Sequence, residues 1–241
     1  MNRISHPIGG VNVKSGAEAG FTLVEMLVSL LVLATVTGAV FEQINTMQKR
    51  AASEAVNLDL NQQSRDFLDQ TVRDLHMAGY PGPSMYSVDP LTRPSMVAAG
   101  LVRVSPTEIL LEGDVNNDGN VYSVDISYVA SDPNDPNCPC VRRSAQTKID
   151  ADSFSQPISL FYTETQRVFP PGTGAGQSGE DLFTYYGQNG EVVDIGSGTD
   201  RTAISGIKTV KINLSLLTNQ RDPQTGGFTR TSMSASARLN Y

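Results

Sequence analysis

Short oxygen-bearing side chains between residues 114 and 125 have the spacing of a calcium-binding loop. Those at positions one, three, five and twelve are Asp114, Asn116, Asp118 and Asp125. Calcium prefers oxygen ligands, and Gly119 at position six permits the sharp turn that lets them converge. Asn120, which follows that glycine, offers its backbone carbonyl. The spacing therefore predicts that this loop binds Ca²⁺ as a cofactor.

The same residues also fit a plain hairpin turn. The loop ends in Asp125 instead of the usual bidentate Glu, and its flanks have the pattern of strands instead of helices. An Asp-Gly pair at a hairpin tip suits a tight turn with positive φ. The sequence of the loop resembles dockerin modules, whose calcium loops also end in Asp. Both interpretations, a calcium site and a plain turn, stay open.

The chain has two cysteines, Cys138 and Cys140, and two histidines. The cysteines are too few and too close together for a structural zinc site, which takes four ligands. The histidines have no metal-ligand or catalytic-triad spacing, and the GxSxG, HExxH, P-loop and GxGxxG motifs are absent. We therefore expect that the protein is not an enzyme.

Composition narrows the class of protein further. The 241 residues carry a formal charge of −7, and the isoelectric point is about 4.8. An acidic chain without a basic stripe argues against direct nucleic-acid binding. Only 7% of the residues are aromatic, whereas 21 Gly and 13 Pro favour many short strands and turns.

Residues 21–41 form an apolar stretch in which Glu25 is the only ionisable residue. As a helix it would be about 31 Å long, which matches the hydrocarbon core of a bilayer. A cleaved secretory signal has a shorter apolar core, of about 7–15 residues. A carboxylate within a membrane span is costly and is usually paired or functional, although one this close to the end of the span can also reach the interface. Flanking Lys and Arg counts balance and give no orientation.

The string GFTLVE at residues 20–25, before an unbroken apolar helix, resembles the processing signal of type IV prepilins and type II secretion pseudopilins. The resemblance implies that a prepilin peptidase cleaves after Gly20 and that Phe21 becomes N-methylated. It also implies that Glu25 pairs with the N-terminal amine of a neighbouring subunit, which would compensate a buried carboxylate. Glu18 departs from the family, which more often has basic residues before the cleavage site.

The helical pattern continues beyond the apolar stretch, over residues 45–78. Apolar residues recur at intervals of three, four and seven: Val56, Leu60, Phe67, Leu68, Val72 and Leu75. Charged residues between them, Asp74 included, indicate a solvent-exposed face. Gly79 and Pro81 end the helix.

The helix end and the C-terminus resemble one subgroup of this family. Residues 73–81 and the ending Arg238-Leu239-Asn240 resemble the W-type minor pilins (the PilW family). This implies a low-copy subunit of a pilus tip or priming complex. One alternative is a J-type pseudopilin of a type II secretion system, and another is a membrane-anchored ectodomain that joins no filament.

After residue 83 the pattern has period two and predicts strands. Candidate strands lie at 107–112, 124–128, 157–163 and 210–216, and the last strand continues to the C-terminus. A turn at 219–228 joins the final pair into a hairpin, and residues 169–181 are predicted to be a loop. We therefore expect an α+β, pilin-like fold in which a long N-terminal helix packs on an antiparallel β-rich head.

The domains expected are a leader at 1–20, a membrane and filament-core helix at 21–44, its amphipathic continuation at 45–80 and a head at 81–241. By the resemblance, the head lies outside the cytoplasm, anchored in the bacterial inner membrane before it enters a pilus or pseudopilus at the periplasm or cell surface. Partners would be the prepilin peptidase and other major or minor pilins or pseudopilins. Outside the cytoplasm, a disulfide between Cys138 and Cys140 is expected over free thiols or an intermolecular bridge.

Overall fold

The computed structural model describes residues 20–82, 96–136, 138–149, 152–156, 158–172, 180–218, 221–222 and 226–240. The predicted leader, except for Gly20, lies outside these residues. The chain divides into two compact units, Met1–Gln48 and Lys49–Tyr241. A single helix, α1 (Leu23–Met77), supplies the described structure of the first unit and begins the second.

The rest of the described chain forms two antiparallel sheets and one short helix, α2 (Arg201–Gly206). The first sheet has the order β1-β2-β3-β4-β5 and the second the order β6-β7-β8. The strands are β1 (Gly100–Val104), β2 (Glu108–Gly113), β3 (Tyr122–Val129), β4 (Cys140–Thr147), β5 (Tyr162–Gln166), β6 (Phe183–Tyr186), β7 (Thr209–Leu217) and β8 (Arg230–Arg238). This arrangement confirms the predicted α+β fold.

One face of the second half of α1 packs into the core of the head. Its buried residues are Leu60, Ser64, Phe67, Leu68, Thr71, Asp74 and Leu75. They follow one another at intervals of mostly three and four residues, so they lie on one stripe of the helix. The same core contains buried apolar residues of both sheets, which include Ile109, Val124 and Ile212.

The end of α1 is attached to the β2–β3 hairpin through its backbone. Gly79 has a φ of +79° and donates its N–H to the Glu112 carbonyl at 2.9 Å. The Asp114 N–H donates to the Tyr80 carbonyl at 2.8 Å. A Cβ on Gly113 would lie only 2.2 Å from the Met77 carbonyl oxygen, so the close approach of strand and helix requires glycine there.

The structure confirms most of the predicted strands. β2 and β3 pair directly across the Asp/Asn/Gly turn, and β7 pairs with β8 as expected for the final hairpin. Burial along β7 alternates at every residue. The predicted turn at 219–228 and loop at 169–181 each lie partly outside the described residues.

The predicted strand at 157–163 is wrong in position. β5 begins only at Tyr162, and residues 158–161 are not in a strand. β5 follows the part of β4 that offers it a partner, since Tyr162 is paired with Arg143 and Gln166 with Cys140. An alternating pattern does not specify which residues find a partner strand.

Candidate processing and assembly site

The first half of α1 exposes its apolar side chains on all sides. Leu23, its first residue, is 77% exposed, and Phe21, just before the helix, is 76% exposed. An 18-residue window of this helix has a mean hydropathy of 2.2, and none of the window is buried. By length and composition the helix can therefore cross a membrane, where such side chains are favourable.

Thr22 and Glu25 form a reciprocal capping box at the start of this helix. Glu25 Oε2 accepts a hydrogen bond from the Thr22 backbone N–H at 3.0 Å and another from the Thr22 hydroxyl at 3.1 Å. The Glu25 N–H donates to Thr22 Oγ1 at 3.3 Å. These bonds satisfy backbone donors that a helix start otherwise leaves free.

The capping box engages only one of the two carboxylate oxygens of Glu25. Among the described residues, Glu25 Oε1 has no hydrogen-bond donor, so it can accept one from another group. Gly20 and Phe21 precede the helix and are exposed. The role of Thr22 was not predicted from the sequence, although the T-x-x-E spacing before an apolar run is the signature of this cap.

In the predicted calcium loop, two aspartates accept hydrogen bonds from other residues of the same turn. Asp114 accepts the backbone N–H groups of Asp118 at 3.0 Å and of Gly119 at 2.9 Å. Asp118 accepts the Asn120 N–H at 2.9 Å and the Tyr122 hydroxyl at 2.6 Å. The hydrogen bond from Tyr122, together with that from Asn120, holds the pKa of Asp118 below its ordinary value. Each carboxylate oxygen of the two acids therefore has a donor within the protein.

Asp125, expected as the last calcium ligand, lies within β3 and not at the loop. It is paired with Leu110 and Ser144 on the neighbouring strands and is 4% exposed. Burial and the adjacent Glu108 raise the pKa of Asp125 to about 7, against the smaller opposing effects of a hydrogen bond with Ser127 and of the charge of Arg103. A calcium ion at the loop would therefore need another ligand in place of Asp125. Asn116 is exposed, and calcium binding stays a prediction.

In the described part of the chain, only one group of three His, Cys, Asp or Glu residues has its ligand atoms within 4.8 Å of one another. It comprises Asp135, Cys138 and Cys140. Cys138 and Cys140 are joined in a disulfide at the start of β4, so their sulfurs are already bonded.

Sequence reasoning also missed buried charges. Asp74, expected on the solvent face of α1, is 1% exposed, and its Oδ2 accepts a hydrogen bond from Arg143 Nε at 2.8 Å. Burial raises the pKa of Asp74, and Arg143 opposes this. Lys148 and Glu112 form a second buried pair, with Nζ and Oε2 2.7 Å apart. The spacing of Asp74 from Phe67 and Thr71, at seven and three residues, could have placed it on the buried stripe.

The N-terminal region is similar to a motif of known proteins. Residues 16–41 match the prokaryotic N-terminal methylation motif. The matched segment contains Gly20, Phe21, Thr22 and Glu25 and extends into α1. Neither a curated protein nor a solved structure is significantly similar to the chain. The motif implies processing by a prepilin peptidase and assembly with pilins, and it supports a structural subunit of the type IV pilin or pseudopilin type.

Proposed function

We propose that the protein is a minor subunit of a type IV filament that functions in a tip or priming complex. It would be cleaved after Gly20, methylated at Phe21 and assembled through the helix at 21–44. The observation that carries the proposal is the methylation motif on an exposed apolar stretch, residues 21–41, whose only ionisable residue is Glu25. Glu25 Oε1 would accept the N-terminal ammonium of a neighbouring subunit.

The proposed role is structural and not catalytic, in keeping with the lack of a catalytic motif in the sequence. The head would face outward from the bacterial inner membrane. Its size, within the unit Lys49–Tyr241, favours a few copies at a tip over a closely packed shaft. The likeness of residues 73–81 to W-type minor pilins supports the same assignment.

Processing is tested by the intact mass of the protein extracted from membranes. In a strain with an active prepilin peptidase, we expect a chain that begins at Phe21 and carries one added methyl group. In a strain without the peptidase, the chain should begin at Met1. A chain that keeps its leader in both strains would contradict the proposal.

The minor-pilin role needs a separate experiment. We expect the protein in sheared pili at a small fraction of the major subunit, and we expect fewer pili when its gene is deleted. Normal piliation together with a secretion defect would identify a J-type pseudopilin instead.

A further inference from the structure

β8 forms an edge of the second sheet, and the backbone groups on one side of this strand have no partner among the described residues. It pairs with β7 in one continuous register over nine residues. Just beyond the two ends, the Thr218 N–H donates to the Thr229 carbonyl and the Leu239 N–H to the Lys208 carbonyl, both at 2.9 Å. The odd-numbered residues of β8 therefore bond to β7. The even-numbered residues direct their N–H and C=O groups away from it: Arg230, Ser232, Ser234, Ser236 and Arg238.

Two of the other sheet edges are covered by backbone. At the β1 edge, the Val104 N–H donates to the Gly198 carbonyl at 2.9 Å. β6 has only four residues, and the Val193 N–H donates to the Tyr185 carbonyl on its outer side at 2.9 Å. Such covering prevents the addition of a further strand.

The third edge, β5, is protected in another way. This strand has five residues, its pairing with β4 shifts between Val141 and Arg142, and it presents the exposed Glu164. Short length, a register shift and a charge all disfavour strand addition. Between its two terminal arginines, β8 has none of these devices. In the described ranges, no backbone group outside β7 pairs with β8, and between Arg230 and Arg238 it contains no charge, proline or register shift.

The side chains of β8 indicate what kind of strand would fit beside it. Its outward-facing serines are small and exposed. Met233 and Ala235 face the other side, where they pack on the core but are only partly buried. A neighbouring strand with apolar residues on that side would cover them.

The charges at the ends of β8 distinguish between two possible neighbours, a second copy of β8 and a strand with acidic ends. If a second copy paired antiparallel about Ser234, Arg230 of one copy would lie opposite Arg238 of the other. Like charges directly opposite each other are destabilising. A strand with an acidic residue at each end would instead place opposite charges there.

We propose that the free edge of β8 binds an extended strand of another protein by β-sheet addition. The strand would be about nine residues long, with apolar side chains towards the core and an acidic residue at each end. This inference concerns a site in the head and does not depend on the filament role.

The probe is the synthetic peptide EVTVTVTVE, added to the full-length protein in a nonionic detergent. Binding is measured by fluorescence anisotropy, and hydrogen exchange is followed over 230–238. We expect exchange of this segment to slow by about tenfold with excess peptide. The lysine-ended peptide KVTVTVTVK should bind about tenfold more weakly, and Arg238→Glu should remove that preference, because each peptide would then meet one opposite and one like charge. Arg238 is exposed, so its side chain suits this substitution.

Two changes test the edge hydrogen bonds themselves. Ser234→Pro removes an N–H that does not bond to β7, so we expect the fold to persist and binding to fall about tenfold, whereas Ser234→Thr should bind like wild type. Methylation of the three threonine amides of the peptide blocks the same bonds on unmodified protein. Undiminished binding of the methylated peptide, no slowing of exchange, or no binding of EVTVTVTVE would overturn the proposal. A wild-type dimer that Ser234→Pro dissociates would show that a second copy occupies the edge instead.

Discussion

At the scale of single residues, Asp125 couples protonation to folding. Its carboxyl lies inside the first sheet, with Arg103 3.5 Å from Oδ2 and Glu108 beside it. Arg103 also donates from Nε to Glu108 at 2.9 Å, so one guanidinium is shared by two acids. Burial without a full counter-charge favours the protonated form of Asp125.

The first prediction concerns pH. The pKa of Asp125 is about 7 in the folded protein and near its ordinary value when unfolded. Between these values the folded state keeps a proton that the unfolded state has lost, so this contribution to stability is complete at low pH and lost as pH rises through 7. We expect Tm to fall by roughly 3 °C or more between pH 5 and pH 8. Asp125→Asn should remove most of that fall, and an unchanged pH dependence in this variant would contradict the assignment.

Glu25 has two roles that can be separated by substitution. Glu25→Val removes both the charge and the cap, whereas Glu25→Gln keeps an oxygen that can accept from Thr22. Both variants should insert into the membrane, since the span becomes less polar. If the charge pairs with a neighbouring ammonium, both should be lost from sheared filaments. Recovery of Glu25→Gln at the wild-type level would show that the cap alone matters.

Asp114 distinguishes the turn from the calcium site. It is 4% exposed and accepts two backbone N–H groups. Asp114→Ala should therefore lower the free energy of unfolding by about 1–3 kcal/mol even in the presence of a chelator. Asn116→Ala, at an exposed position, is the matched control for the turn. If the loop also binds calcium, added calcium should raise Tm in wild type and not in Asp114→Ala.

At the scale of secondary-structure elements, a buried ion pair joins α1 to the first sheet. Asp74 accepts from Arg143 of β4 and from Gln70 one turn earlier on the helix. Hydrogen bonds to both carboxylate oxygens offset part of the desolvation cost of this pair. The pair also sets how the helix lies on the sheet, because only one register brings the two residues together.

We expect loss of one partner to cost more than loss of both. Asp74→Ala leaves a mostly buried guanidinium without its carboxylate and should reduce stability by about 3 kcal/mol in urea unfolding. The double variant Asp74→Leu, Arg143→Met should recover most of this loss, because neither charge of the buried pair is left without the other. Asp69→Ala, at an exposed site on the same helix, serves as control. If the double variant is as unstable as Asp74→Ala, the pair contributes to stability beyond neutralising its own two buried charges.

At the scale of the whole molecule, the two units differ in the solvent they require. The described residues of Met1–Gln48 bury no apolar side chain, whereas Lys49–Tyr241 contains the core. We expect a fragment that begins at Lys49 to be soluble without detergent and to unfold in one cooperative transition. The full chain should need detergent or membrane. A full chain that stays monomeric in water would contradict a membrane role for the apolar helix.

The sequence alone determined the features that depend on local pattern. Hydrophobic spacing predicted α1 and its end near Gly79, and alternation predicted β7 together with its hairpin partner. The GFTLVE string predicted the processing site, because that recognition depends on a short linear motif. These signals are contained in a few consecutive residues, so no distant part of the chain is needed to interpret them.

Tertiary structure decided what depends on distant partners. The spacing along α1 places Asp74 on the buried stripe, but only the fold brings its partner Arg143, 69 positions away, to it. Asp125 lies apart from the loop because its strand continues between β2 and β4. β5 begins at Tyr162 because that is where it pairs with β4. A charge can be buried, and a strand can form, only where the fold supplies a counter-charge or a free edge, and local sequence does not contain that information.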